Sequence, residues 1–115
     1  ENNFKHGRGT MFYRNDEVYE GWWIQNKKEG VGTFYYPNGD YYYGQINNNL
    51  YHGYGLYYSE TNGTFEGIWE KGRANGFGIS IDPNGNRHSG FYIDDKRTGK
   101  GIDEYINGEK YEGCF

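Results

Sequence analysis

Polar and apolar positions alternate along this chain only in short runs, and glycine interrupts every run. The stretch Gly21 to Gly44, GWWIQNKKEGVGTFYYPNGDYYYG, is typical: segments of about five to seven residues rich in Tyr, Phe, Trp and Ile stand between turn-forming residues. Such runs read as strands, and none follows a helical period. Two kinds of turn recur. Asn3, Asn26, Asn49, Gly72 and Asp95 share one register and are all residue types that tolerate positive φ. The second turn is Asn15-Asp16, Asn38-Gly39, Asn62-Gly63, Asn84-Gly85 and Asn107-Gly108, with Pro37 and Pro83 ahead of it in two copies. Pro, Asn, Gly in that order suits a type I turn closed by a left-handed glycine. Asn62-Gly63 is displaced by one residue, which leaves its turn type open. The pattern predicts an all-β meander of hairpins with about ten antiparallel strands.

The spacing is strictly periodic. Gly21, Gly44, Gly67, Gly90 and Gly113 recur every 23 residues, and so do Gly9, Gly32, Gly55, Gly78 and Gly101. A third series, Gly7, Gly30, Gly53, Gly76 and Gly99, stands two positions before the second. If Gly21 pairs with Gly32, Tyr19 faces Phe34 and Trp23 faces Gly30, with residues 24–29 as the loop. Pairing Tyr36 with Asp40 across the next turn then sets Gly32 opposite Gly44 and Phe34 opposite Tyr42. Both pairings keep the same residues on one face.

That face is expected to carry three rows. The middle one is all glycine, a trench over which rings can lie and toward which the sheet can curl. One wall is Met11, Tyr19, Phe34, Tyr42, Tyr57 and Phe65, continued by Ser80, His88, Asp103 and Tyr111. The other is Trp23, Ile46, Trp69, Tyr92 and Phe115, each separated from the next by a glycine. The opposite face, with Thr10, Glu20, Thr33, Tyr43, Leu56 and Glu66 among its residues, reads as an ordinary half-polar solvated surface. The expected fold is a single-layer sheet, twisted into an elongated trough in which each repeat touches mainly its neighbours.

Tyr19-Glu20-Gly21-Trp22-Trp23, then Gly30-Val31-Gly32, then Asn38-Gly39 resembles the MORN repeat, roughly YxGxW…GxG…dG. Phe65-Glu66-Gly67-Ile68-Trp69 with Lys71-Gly72-Arg73 and Gly76-Phe77-Gly78 is the nearest copy, and His88 in place of the aromatic marks the most divergent. The resemblance covers the whole chain as one MORN-repeat array: a partial copy at 1–18, repeats at 19–41, 42–64, 65–87 and 88–110, and a terminal strand at 111–115. It implies a non-enzymatic scaffold module, cytoplasmic and associated with the cytoskeleton or the membrane cortex. It also leaves open phosphoinositide or membrane-surface binding, and an accessory role beside a catalytic domain outside this segment. Because the chain starts and ends inside a repeat, a longer array or a homodimer through the edge strands is expected.

Composition narrows the partner. Of 115 residues, 14 are Tyr, 7 Phe and 3 Trp, against one Met, so the core must be built from rings. The net charge of −4 argues against nucleic acid, which needs clustered Lys and Arg. The single cysteine, Cys114, gives no disulfide framework and suits a reducing compartment. Asn62-Gly63-Thr64 matches a glycosylation sequon but doubles as a turn signal. Basic residues gather at one hairpin edge, Lys5, Lys27, Lys28, Lys71, Arg73, Lys96 and Arg97, with Glu29, Glu70, Asp94 and Asp95 among them. A solvated charged rim is the simpler reading of that edge, and lipid headgroup binding is the sharper one.

Candidate chemistry is sparse. His6 and His52 sit at a turn-edge position with no Cys or carboxylate framework for a metal, and no cofactor motif is present. Ser80, His88 and Asp103 fall side by side on three successive strands, in the order of a catalytic triad. A flat sheet offers them no oxyanion donors, since ladder N–H groups are already committed. They are therefore read as a hydrogen-bonded polar plug at one end of the aromatic wall. The expected partner-binding groove is Tyr19, Phe34, Tyr42, Tyr57 and Phe65 on one side and Trp23, Ile46, Trp69 and Tyr92 on the other, receiving a peptide or helix. Its polar end is Ser80, His88 and Asp103.

Overall fold

The computed structural model describes residues 6–115, and Asn3 and Lys5, named above for a turn and for the basic edge, lie outside the described residues. Ten antiparallel strands form one sheet in chain order, β1 (Gly7–Phe12), β2 (Val18–Ile24), β3 (Lys27–Tyr35), β4 (Tyr41–Asn47), β5 (Leu50–Ser59), β6 (Gly63–Glu70), β7 (Arg73–Ile81), β8 (Arg87–Ile93), β9 (Lys96–Glu104) and β10 (Lys110–Cys114). The sheet does not close into a barrel. Its extents are 60 × 25 × 17 Å. The radius of gyration of 16.3 Å exceeds the ~13 Å expected of a compact domain this long.

Ten glycines pair across the nine junctions without a break, from Gly9↔Gly21 through Gly32↔Gly44 and Gly55↔Gly67 to Gly101↔Gly113. Beside them runs the expected row, Met11↔Tyr19, Tyr19↔Phe34, Phe34↔Tyr42, and onward to His88↔Asp103. The second turn type is as read from Pro-Asn-Gly: Tyr36 N–H donates to Asp40 O (2.9 Å), Gly39 N–H to Tyr36 O (3.0 Å), and Gly39 takes φ +95°. In the displaced copy the loop is Glu60–Asn62, with Ser59 opposite Gly63 and the Ser59 hydroxyl accepting the Asn62 N–H at 3.2 Å.

The other hairpin departs from the expected pairing. Beyond Gly21↔Gly32 the register shifts, so that Trp22 faces Glu29, Trp23 faces Lys28 rather than Gly30, and Ile24 faces Lys27. The six-residue loop is thus a two-residue turn, Gln25-Asn26, with both residues at positive φ (49° and 73°). That is the mirror-image turn whose twist matches a hairpin. The bulge is absorbed where Gly30 takes φ +81°, and Gly30 keeps its partner Ile46 on the far side. The same correction applies to the wall of Trp23, Ile46, Trp69 and Tyr92. On one side each meets a glycine, but on the other it meets Lys28, Tyr51, Ala74 or Arg97.

These turns also join successive repeats. Asn49 N–H donates to Lys28 O (3.1 Å) while its side-chain oxygen accepts the Lys28 N–H (2.8 Å). Asp95 makes the same pair of bonds with Ala74 (2.9 and 2.6 Å), so the Asp94-Asp95 turn is bonded to the neighbouring repeat through Asp95.

Candidate functional site

The ring face supplies the core. Tyr19, Trp23, Tyr42, Ile46 and Trp69 are its buried members, with Met11, Tyr13, Phe34, Tyr51, Tyr57 and Phe65 packed around them. Each tyrosine of the glycine trench lies across bare backbone. A Cβ on Gly32 would come within 2.6 Å of the Tyr19 ring, and one on Gly21 within 2.8 Å. At the end of that path the Tyr19 hydroxyl donates to Trp22 O (3.0 Å), and the Tyr42 hydroxyl to Gln45 O (2.9 Å). Trp69 Nε1 likewise donates to Gly55 O at 3.1 Å. Tyr51 stacks on Tyr42 with centroids 3.8 Å apart, and Trp69 meets both rings edge-on. Burial raises the phenol pKa of Tyr19, Tyr36, Tyr42 and Tyr57 above the ordinary value.

Of the residues expected to wall a groove, Tyr19 and Tyr42 are 0% exposed, and Trp23, Ile46, Trp69 and Tyr92 are buried too. Phe34, Tyr57 and Phe65 keep partial exposure. Lys28, expected on the solvated basic edge, leaves it. Its ammonium lies 5.1 Å from the Trp23 ring, 5.2 Å from Tyr13, 5.5 Å from Tyr19 and 5.8 Å from Phe34. The register shift that sets Lys28 opposite Trp23 delivers it there. Lys27, Lys71, Arg73 and Lys96 remain on the exposed edge.

At the other end of the same face the rings give way to polar groups. His88 is buried, its Nδ1 is 2.5 Å from Asp103 Oδ1, and the Arg97 guanidinium stands 3.4 Å from the same oxygen and 4.7 Å from the Phe115 ring centroid. Ser80 pairs its hydroxyl with Tyr92 at 2.8 Å. Strand register sets Ser80 beside His88, but the serine hydroxyl is bonded to Tyr92, and the hydrogen bonds of this cluster include none from Ser80 to the imidazole. A triad relay is not assembled, and the arrangement is that of a bonded polar cluster.

The MORN repeat family matches residues 1–18, 19–41, 42–64, 65–87 and 88–110. The chain belongs to the MORN-repeat family. No curated protein matches it in sequence. MORN repeats are non-catalytic repeat modules that generally bind proteins or membranes, and they occur often in membrane-associated cytoplasmic proteins.

The second face of this MORN array differs from the ordinary half-polar surface read from the sequence. One row across the strands carries Trp22, Val31, Tyr54, Ile68, Phe77 and Phe91, all exposed, with Gln45 between Val31 and Tyr54. Phe77 and Phe91 face each other edge-on at 5.6 Å while 46% and 54% exposed. Next to them the backs of Gly90, Gly101 and Gly113 open a hollow of about 540 Å³, walled by Phe77, Phe91 and Ile102. The sequence signal for this row was available: in each repeat the residue after the trench glycine, Trp22, Gln45, Ile68 or Phe91, is apolar in three copies of four. This row and the glycine row are adjacent in sequence but point to opposite faces.

Proposed function

We propose that this array is a protein-binding module whose partner lies across the strands along the row Trp22, Val31, Tyr54, Ile68, Phe77 and Phe91. The observation that carries this reading is the asymmetry of a single-layer sheet. One face packs its own rings into the core, while the other leaves large apolar side chains 39–54% exposed along one row, interrupted on β4 by Gln45. An exposed apolar row of this extent marks an interaction surface. Rigid aromatic side chains there make efficient anchors. The hollow beside Phe77 and Phe91 would receive one apolar side chain of the partner, a helix or extended segment with an apolar edge. This role is that of a scaffold in which the partner is held along the array, with no reaction on it.

The groove expected on the ring face is the competing location, with Phe34, Tyr57 and Phe65 as its accessible rings. Headgroup binding at the basic edge is weakened by the position of Lys28 among the rings, which removes one cation from that edge. Partner capture from cell extract with three versions of the chain separates the locations. Phe77→Ala plus Phe91→Ala should abolish capture with the fold intact by circular dichroism. Phe34→Ala plus Tyr57→Ala should retain it. The reverse pattern would move the site to the groove, and retention by anionic liposomes that the Phe77/Phe91 variant leaves unchanged would make this a membrane-binding array.

A further inference from the structure

The polar end of the ring face contains a cavity of about 310 Å³ between the loop of β5–β6 and the strands β7–β9. It exists because of two replacements. The wall positions held by Phe34 and Tyr57 in earlier repeats are Ser80 and Asp103 here, so ring volume is missing on two strands. Arg97 enters from the position that Lys28 and Tyr51 occupy earlier, opposite Tyr92, and Arg87 stands at the rim.

The carboxylates of Asp82 and Asp103 and the Asn86 amide oxygen that line this cavity are already engaged. Asp82 accepts the backbone N–H groups of Asn84 and Asn86, each at 3.0 Å, and the Asn86 amide at 3.2 Å. Asn86 Oδ1 accepts the Ile106 N–H at 3.0 Å, and Asp103 is held by His88. The donors are less well used. Arg87 reaches Glu104 only at 3.8 Å, and Arg97 reaches Asp103 at 3.4 Å, both beyond the 2.7–2.9 Å of a good charge-assisted bond. Each guanidinium carries five N–H groups in a planar fork. We propose that this cavity binds a carboxylate, which accepts hydrogen bonds from the Arg97 and Arg87 guanidiniums and is presented by a ligand whose body fills the space left by the missing rings. The lining favours one negative charge over two, because its two arginines are matched by Asp82 and Asp103 and the chain as a whole is acidic. A planar carboxylate also meets a guanidinium fork bidentately.

This inference is independent of the opposite face and survives or fails separately from the partner reading. The test is nuclear magnetic resonance titration of the isotope-labelled chain with sodium N-acetylglycinate, at ionic strength held constant with sodium chloride. N-acetylglycinamide and inorganic phosphate serve as parallel probes. Saturable shifts confined to the residues around Arg97, Arg87 and Ser80 are expected with acetylglycinate, and none with the uncharged amide. Arg97→Gln should weaken binding by about tenfold, the loss of one charge-assisted contact. Ser80→Phe restores the ring that earlier repeats carry at this position. It should block binding while keeping the fold, which decides the matter if Arg97→Gln is unstable. Equal response to the amide, tighter binding of phosphate than of the carboxylate, or full binding by Ser80→Phe would each overturn the proposal.

Discussion

The two ends of the ring face use the same backbone differently. In repeats 19–41 and 42–64 a tyrosine lies across two glycines and ends on a backbone carbonyl, so the hydroxyl is satisfied and the ring is fully buried. In repeat 88–110 the shorter His88 occupies that place and turns its Nδ1 sideways to Asp103 on the next strand. Beyond it, β9 and β10 contain no buried residue. A trench of glycines specifies a channel; the side chain laid into it decides whether the channel becomes dry core or polar cavity. Aromatic packing of this kind is worth more than its area alone, because the rings meet edge to face. The early repeats should therefore hold the array together, and the late ones should tolerate change.

The sharpest break in that comparison is at equivalent glycines. A Cβ on Gly21 would stand 2.7 Å from Gly32 Cα and 2.5 Å from the Tyr19 hydroxyl. Neither can yield, since one is backbone and the other belongs to a buried ring already bonded to Trp22 O. On Gly90 the nearest atoms are Gly101 Cα, His88 Nε2 and Lys100 O, all at 3.2 Å, which a small shift accommodates. Gly21→Ala should cost about 2–3 kcal/mol by overpacking. Gly90→Ala should cost under about 1 kcal/mol, since restricting the unfolded chain offsets part of the crowding. Urea denaturation of the two variants measures the difference, and equal losses would mean that the trench is uniform along the array.

How much of this was legible depends on what fixed each feature. The trench glycines and the ring row beside them follow from a period of 23 and from the side-chain alternation of strands, and they are in register through all nine junctions. The bulge at Gly30 was not read, because the first glycine of the Gly-x-Gly pair looks the same whether it makes room for a ring or supplies a positive φ. The residues that could have separated these roles are Asn26 and its equivalents. A two-residue mirror-image turn fits Gln25-Asn26, and closing it forces the shift that puts Lys28 opposite Trp23. The division of rings into core and surface was legible only in part. Tyr19 and Phe34 are both aromatic and neighbours in register, yet of the two only Tyr19 lies down into the trench.

A smaller effect, spread over several groups, sharpens the same comparison. The phenols whose pKa burial raises, Tyr19, Tyr36, Tyr42 and Tyr57, all belong to the early repeats. In the unfolded chain a phenol ionises near pH ~10, whereas the folded chain keeps these protonated to higher pH. Above that value the unfolded state has lost protons that the folded state retains, so stability falls with rising pH. The stabilisation is complete below pH ~10 and is lost progressively toward the raised folded values. Urea midpoints measured across the alkaline range should stay level and then decline. Tyr19→Phe plus Tyr42→Phe should flatten that decline, and a decline identical in this variant would assign it to groups other than these two phenols.

The smallest expected effect concerns one position compared across repeats. Residues 28, 51, 74 and 97 occupy the same site opposite the second wall, held by Lys, Tyr, Ala and Arg in turn. Tyr51 fills it as a stacked ring, whereas Lys28 fills it with a hydrocarbon stem that carries a charge to four ring faces. The stem would pack as well on a neutral side chain of the same length, so Lys28→Met isolates the charge. A cation held near aromatic faces at a half-exposed site contributes about 0.5–1 kcal/mol, and that is the expected loss. Because the ammonium is drawn toward the rings and away from the exposed edge, the loss should change little between low and moderate salt, unlike that of a surface ion pair. If Lys28→Met is as stable as the natural chain at both ionic strengths, the rings hold the stem alone. Lys28 would then be a lysine doing the work of Tyr51, and the two ends of the array would differ only in how much ring they bury.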